Sequence, residues 1–338
     1  MVFISKIRKC PKINVLLHFW DTFLRNRKYQ NGRGVPVEKR VERVKKRKQK
    51  GFKTRDLVGW LIMLPTLILF AFFVWEPLIE SVRLSMYTAK GIRLEEFVWF
   101  ENYRKVLRHP DFWDAFKNTF SYIGWSLMIG FLVPIVMAIL ITETIHMRDF
   151  FRVGVYFPNI VPGLATVLIW QYFFRPGNTG VLNILLSKVG IPNQIWLTNL
   201  KLTIPLIVLT MTWKGAGSTS FIYMAGISNI NSDLYEAATI DGASLLARVR
   251  YITLPHIFSL AKTLLILQVI TVFQILYEPL VMTNGGPNNA SISIMQLVYN
   301  YAFRDFNYPL AAALSVMICI VLILLSGLYF KLTTKKGN

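Results

Sequence analysis

The chain has 338 residues, 54% hydrophobic and only 17% charged, and its mean hydropathy is positive. That is too little charge for an ordinary soluble domain of this length, and the apolar runs are too long and uniform for the short alternating strands of a membrane barrel. The formal charge of +20 is uneven: residues 1–56 hold 18 Lys/Arg against 4 Asp/Glu, a block of +14, and the rest of the chain contributes +6.

A basic block ahead of the first apolar run places the N-terminus in the cytoplasm by the positive-inside rule. It lies against anionic lipid, where each basic residue contributes about 1 kcal/mol. This reading is preferred to nucleic-acid binding, so membrane lipid is an expected partner and nucleic acid is not. Within the block, residues 13–24 (INVLLHFWDTFL) put Leu16, Leu17, Trp20 and Leu24 on one face, the pattern of a short interfacial helix. Residues 38–50 read as a charged linker or helix. The first apolar run is short and broken by Lys6, Arg8 and Lys9, so no signal peptide is expected from the pattern.

Six stretches have the roughly 20 apolar residues that a span requires: 57–84, 115–141, 153–174, 202–227, 257–282 and 309–330. All are expected to be helices, because lipid offers no partners for free backbone groups. The expected fold is therefore an all-α membrane protein with six transmembrane helices. Residues 1–56 form the basic cytoplasmic segment, 57–114 the first span with an outer loop, 115–330 the membrane core and 331–338 a cytoplasmic tail. Counting spans puts 143–152, 228–255 and the tail, with Lys331, Lys335 and Lys336, inside the cell. The loop 87–114 falls outside and balances five basic against five acidic residues. Two separated cysteines, Cys10 and Cys319, and four scattered histidines, His18, His109, His146 and His256, exclude a disulfide framework and a recognisable metal site.

One polar stretch between the fourth and fifth spans is longer than a connector needs: SDLYEAATIDGASLLARVRYITLPHI, residues 232–257. Asp233 is a candidate N-cap with Glu236 three residues on. Residues 234–240 then form a short helix whose surface is kept smooth by Ala237 and Ala238. Gly242 ends or bends it, since glycine tolerates positive φ. Residues 243–251 form a second short helix, closed at Leu254-Pro255 because the residue before proline avoids the α region. The expected product is a helix–turn–helix knob facing the cytoplasm.

Glu236-Ala237-Ala238, three residues, Gly242, nine residues, then Ile252-x-Leu254-Pro255 resembles the EAA signature of ABC importer permease subunits. IDGAS (240–244), residues 97–122 and 282–316, with their Gly285-Gly286-Pro287 outer turn, and the early residues 64–87 resemble the carbohydrate-uptake branch, maltose- and glycerol-phosphate-type. The resemblance covers most of 57–330 and implies the type I importer permease fold, with residues 232–255 as its cytoplasmic coupling helix. Glu236, Ala237, Ala238, Asp241, Gly242, Leu254 and Pro255 would then form the surface docked on an ATP-binding subunit, Glu236 making a charged contact. It implies two ATP-binding subunits, a second homologous permease, an extracytoplasmic solute-binding protein and a sugar substrate, in a bacterial or archaeal inner membrane. No cofactor is expected on this chain, ATP and Mg being held by the partner subunits, and no catalysis. Where many relatives carry Asp in the fifth span, this chain has Tyr277 beside Glu278.

Polar residues inside spans mark a pathway or a helix contact. In the fourth span, Lys214 sits between Trp213 and Gly215, and either faces a wet cavity or polar partner or snorkels along the small surface of Gly215, Ala216 and Gly217. As a pathway residue it would make acidic sugars acceptable. GAGSTS (215–220) lacks the Lys-Ser/Thr end of a phosphate loop and reads as close helix packing. In the fifth span, Gln268, Thr271 and Ile275 share a face. The resemblance carries sugar contact onto Gly215, Ser218, Gln268 and Thr271, with Trp213 or Tyr223 as an aromatic plate. For any single Gln or Thr, interhelical hydrogen bonding is the alternative. An ion-coupled secondary transporter would show deep acidic residues and an internal repeat, and a membrane enzyme would show a catalytic constellation. The sequence displays neither.

Overall fold

The computed structural model describes residues 54–91, 93–143 and 147–334. The interfacial helix expected at 13–24, the linker at 38–50, Cys10, His18, His146, Lys335 and Lys336 lie outside the described residues. Two compact units divide the chain, Met1–Val74 and Trp75–Asn338.

In the first unit the described chain is helical: α1 (Thr54–Phe70) runs into a wide π-helical turn at Ala71–Trp75. The second unit opens with α2 (Glu76–Leu84) and a two-stranded antiparallel hairpin, β1 (Tyr87–Lys90) with β2 (Arg93–Phe97). The short helix α3 (Glu101–Arg108) follows. Buried Asn102 ties it to the hairpin by donating to the carbonyls of Ser85 at 2.9 Å and Tyr87 at 2.8 Å. Next come α4 (Pro110–Trp125), a π-helical turn at Ser126–Gly130 and α5 (Leu132–Glu143), which together make one long helix. α6 (Arg148–Ile160) and α7 (Gly163–Phe173) are followed by α8 (Val181–Lys188) and the long α9 (Thr203–Ser228). The polar segment holds α10 (Ser232–Ile240) and α11 (Leu245–Arg248), and passes through a third π-helical turn, Val249–Thr253, into α12 (Leu254–Phe273). α13 (Tyr277–Met282), α14 (Ile294–Phe303) and α15 (Tyr308–Thr334) complete the unit.

The expectation of six long apolar helices is modified in three places. Among the described residues, four helices are long and apolar enough to cross a membrane: Gly59–Leu84, Pro110–Glu143, Leu245–Phe273 and Tyr308–Lys331. The third expected span is instead a broken pair, α6 and α7 meeting at 98°. Val161 precedes Pro162, and the proline ring pushes it out of the helical region to φ −62°, ψ 130°. The fourth, α9, has the length of a span, but Lys214 and its run of small and hydroxyl residues dilute its apolar character. The fifth begins earlier than residue 257 and stops at Phe273 rather than reaching 282.

The three π-helical turns share a cause. Each precedes a proline (Pro77, Pro134 or Pro255), and the residue four positions before that proline lies inside the wide turn: Phe73, Gly130 and Tyr251. A helical proline removes one N–H and collides with the carbonyl four residues back. Widening the turn accommodates both effects without breaking the helix. Leu254-Pro255 therefore does not close the second short helix, as the sequence suggested. The helix continues through it into the membrane span.

Lipid supplies no hydrophobic drive between helices, so close packing holds the bundle. One buried cluster joins Ala138 and Ile141 of α5, Tyr223, Met224 and Ile227 of α9, and Ile257 and Ala261 of α12. A second gathers Tyr122, Val167, Ile207, Val208 and Val272. One helix approach is backbone on backbone: a Cβ placed on Gly217 of α9 would lie 2.1 Å from the Val155 carbonyl oxygen of α6.

Candidate functional site: a docking knob and a polar cavity

The knob between α9 and α12 is built by local capping. Asn231, not Asp233, is the N-cap of α10, its side chain accepting from the Asp233 N–H at 3.1 Å. Both residues suit the role, and the short connection after Ser228 starts the helix at Ser232. At the other end Gly242 takes φ +75°. Its N–H donates to Thr239 at 3.1 Å, while Ala243 donates to the Ala238 carbonyl at 2.8 Å, the paired bonds of a Schellman ending. Ser244 then caps α11 by accepting from Ala247.

These caps present Glu236, Ala237, Asp241 and Gly242 to solvent, with Ala238 half-buried beside them. Large apolar side chains surround them: Ile240 is 86% exposed, Leu246 76% and Tyr251 72%. Exposed apolar groups clustered around a carboxylate mark a surface that meets a partner. Leu254 and Pro255 are exposed as well, but they belong to the first turn of α12. Within the knob, α10 is fastened to the turn at Val249–Thr253 by Tyr235 and Thr253, whose hydroxyls are 2.8 Å apart. It is fastened to α11 by Arg248, which donates to Thr239 Oγ1 at 3.2 Å.

The second element is a cavity of about 300 Å³ walled by the turn at Ser126–Gly130, α9 and α12. Four of the six expected pathway residues line it: Gly215 and Ser218 from α9, Gln268 and Thr271 from α12. Gln268 donates to Ser126 Oγ at 2.6 Å. Ser218 and Thr271 donate their hydroxyl protons to the carbonyls of Gly215 and Leu267, and so keep acceptor capacity for a hydroxylated ligand. A larger hollow of about 500 Å³ beside α12 and α15 is lined mainly by apolar side chains such as Ile270, Ile318 and Leu322, with Gln274, Ser315 and Ser326 as its polar members.

Trp213 and Lys214 do not line the cavity. Trp213 packs edge-on against Trp170 of α7, centroids 5.8 Å apart. The Lys214 ammonium donates to the Val161 carbonyl at the α6–α7 break, where the helix ending leaves an acceptor unmatched. Tyr223, the other expected aromatic plate, is fully buried in the α5–α9–α12 cluster.

Sequence reasoning missed Ser126, Gly130 and Thr212 on the wall. Gly130 leaves room for this polar group: a Cβ there would sit 2.9 Å from Gln268 Nε2 and 3.0 Å from Ser126 Oγ, and those side chains would have to shift. The available signal was Pro134, four residues on, since wide turns gather at functional sites.

Residues 130–335 match the family described as binding-protein-dependent transport system inner membrane component, and the chain belongs to that family. It is similar to the arabinooligosaccharides transport system permease protein AraP of Bacillus subtilis, 27% identical over 83% of this chain and 90% of that one. It is also similar to the trehalose/maltose transport system permease protein MalF of Thermococcus litoralis, 30% identical over 81% of this chain and 92% of that one. Its fold matches a chain of a bacterial alginate ABC transporter solved in complex with an alginate pentasaccharide-bound periplasmic protein. That match has a TM-score of 0.75 and 26% identity, covering 83% of this chain and 95% of that one. The fold is thus that of an ABC importer permease, as the EAA spacing implied, and the chain is a membrane protein.

Proposed function

We propose that this chain is one of two membrane-spanning subunits of an ATP-driven oligosaccharide importer. It performs no hydrolysis itself. A second permease completes the pathway, two ATP-binding subunits supply the driving force with their own ATP and Mg, and an extracytoplasmic binding protein delivers the sugar. The membrane is the bacterial or archaeal inner membrane, with both termini and the knob at 232–255 in the cytoplasm, where residues 1–56 lie against anionic lipid. The observation that carries the reading is the knob: capped at both ends, apolar at its rim and continuous with α12, it is built to be gripped and to move a span. Glu236, Ala237, Ala238, Asp241 and Gly242 form the gripped surface, and Leu254 and Pro255 pass the motion into α12. Gly215, Ser218, Gln268 and Thr271, joined by Ser126, form this subunit's half of the sugar path. Trp213 and Lys214 act on that path by holding the α6–α7 break.

The test is uptake by the complete complex in proteoliposomes, with arabinotriose, maltotriose and a mannuronate trisaccharide as probes. At least one is expected to be imported and to stimulate ATP hydrolysis through the binding protein. Gln268→Leu is expected to raise the half-saturating concentration of that sugar about tenfold, the effect of losing one or two hydrogen bonds. Hydrolysis indifferent to every sugar, or unchanged saturation in Gln268→Leu, contradicts the reading.

A further inference from the structure

Arg248 makes a contact that reaches beyond the knob. Its Nη2 lies 3.4 Å from Glu143 Oε2, and the two side chains are only 24% and 22% exposed. Partial burial lets such a pair count for more than a solvated one. Glu143 is the last residue of α5, and α5 ends the long helix Pro110–Glu143. About 20 and 25 Å back along that helix, at 1.5 Å per residue, stand Gly130 and Ser126 in the cavity wall. Arg248 itself opens the helix Leu245–Phe273 that carries Gln268, and Gln268 is bonded to Ser126. The two long helices are therefore joined twice, by an ion pair beside the knob and by a hydrogen bond at the cavity. Between these points Ala138 and Ile141 share one buried cluster with Ile257 and Ala261, together with Tyr223, Met224 and Ile227 of α9. Arg248 also holds Thr239 in the last turn of α10, so one guanidinium touches the knob, the start of the long helix after it and the end of α5.

We propose that Arg248 is a positioning residue that yokes the knob to the helix Pro110–Glu143 through Glu143, so that the docking surface and the two cavity walls carried by these long helices move as one body. Force on the knob then reaches Ser126 and Gly130 through the ion pair and the long helix behind it. The inference rests on the proposed permease function and goes further, by naming the link that carries the motion.

The experiment uses the assembled complex in a background lacking Cys10 and Cys319. Spin labels are placed at Met128 and Thr263, both exposed and on the two joined helices. Distances are measured without nucleotide and after trapping with ATP, Mg and vanadate, the trap being verified by retained labelled nucleotide. With Arg248 and Glu143 intact, one narrow distance is expected in both states. In Glu143→Gln the trapped state is expected to at least double in width or shift, because α12 then moves without α5. The exchange Glu143→Arg with Arg248→Glu is expected to restore the narrow distance, which a merely structural role for either residue would not do. A Glu143→Gln complex that keeps the narrow distance through trapping overturns the yoke alone. So does an intact complex whose distance changes, or an exchange that fails to restore it. A complex that binds no ATP-hydrolysing subunit and traps no nucleotide overturns the yoke and the permease reading together.

Discussion

Gly217→Val is expected to abolish assembly of the permease, and Gly217→Ala to lower its melting temperature in detergent by at least about 5 °C. The reason is the absence of any soft neighbour. A Cβ at this position meets the Val155 carbonyl oxygen at 2.1 Å, its carbon at 2.9 Å and the Tyr156 Cα at 3.1 Å. All three are backbone atoms of α6, so no rotamer change relieves the contact and α9 must move away as a whole. In lipid, such close approach is itself the source of helix association. Displacement also draws Lys214, three residues back, off the Val161 carbonyl. Gly215→Ala is the control, since nothing lies within 4 Å of a Cβ there and the fold is expected to be unchanged. Thermal melts followed by size exclusion of the fluorescently tagged complex measure both. Equal melting of Gly217→Ala and Gly215→Ala would refute the packing argument.

Lys214→Met is expected to reduce uptake about tenfold for neutral and acidic sugars alike, with little change in melting temperature. Two effects on stability oppose each other. The Val161 carbonyl at the helix break loses its partner, at a cost of about 1–3 kcal/mol. Removing an ammonium from the span relieves a desolvation penalty of similar size. What remains is the loss of the fastening at the 98° break between α6 and α7, and the break should loosen. Comparing maltotriose with a mannuronate trisaccharide separates this from substrate recognition. If only the acidic sugar is affected, Lys214 reads ligand charge and its position outside the cavity lining misrepresents its role.

These two positions show what a sequence can and cannot disclose. The small residues of GAGSTS read directly as a packing surface, because small size in an apolar helix has few other uses. The direction of Lys214 did not, because its partner is a main-chain carbonyl and main-chain acceptors leave no trace in residue periodicity. The same limit hid the α6–α7 break. Pro162 did not reveal it, because a proline inside a span can equally be absorbed by a wide turn, as at Pro134 and Pro255. The knob was legible because its devices are local: a cap, two alanines, a glycine and a proline at set spacing. Even there, Asn231 and Asp233 compete as caps two residues apart, and only the end of α9 decides between them. Gln268 and Thr271 were visible as polar residues sharing a face of an apolar helix, but Gly215, Ser218, Gln268 and Thr271 were named as sugar contacts through the resemblance to sugar permeases. Ser126 and Gly130 did not stand out, since one serine and one glycine are unremarked in such a run until the wide turn places them on the cavity wall.

The central claim is that the knob faces the cytoplasm and is held by an ATP-hydrolysing partner. Ile240, the most exposed large apolar residue on it, is the position to probe. Ile240→Cys, in a chain lacking Cys10 and Cys319, is treated with a membrane-impermeant maleimide in oriented vesicles. Labelling in inside-out vesicles stripped of the ATP-binding subunits, protection when those subunits are restored, and no labelling in right-side-out vesicles are the expected results. Labelling from the outer face, or labelling that the restored subunits leave unchanged, would contradict the claim.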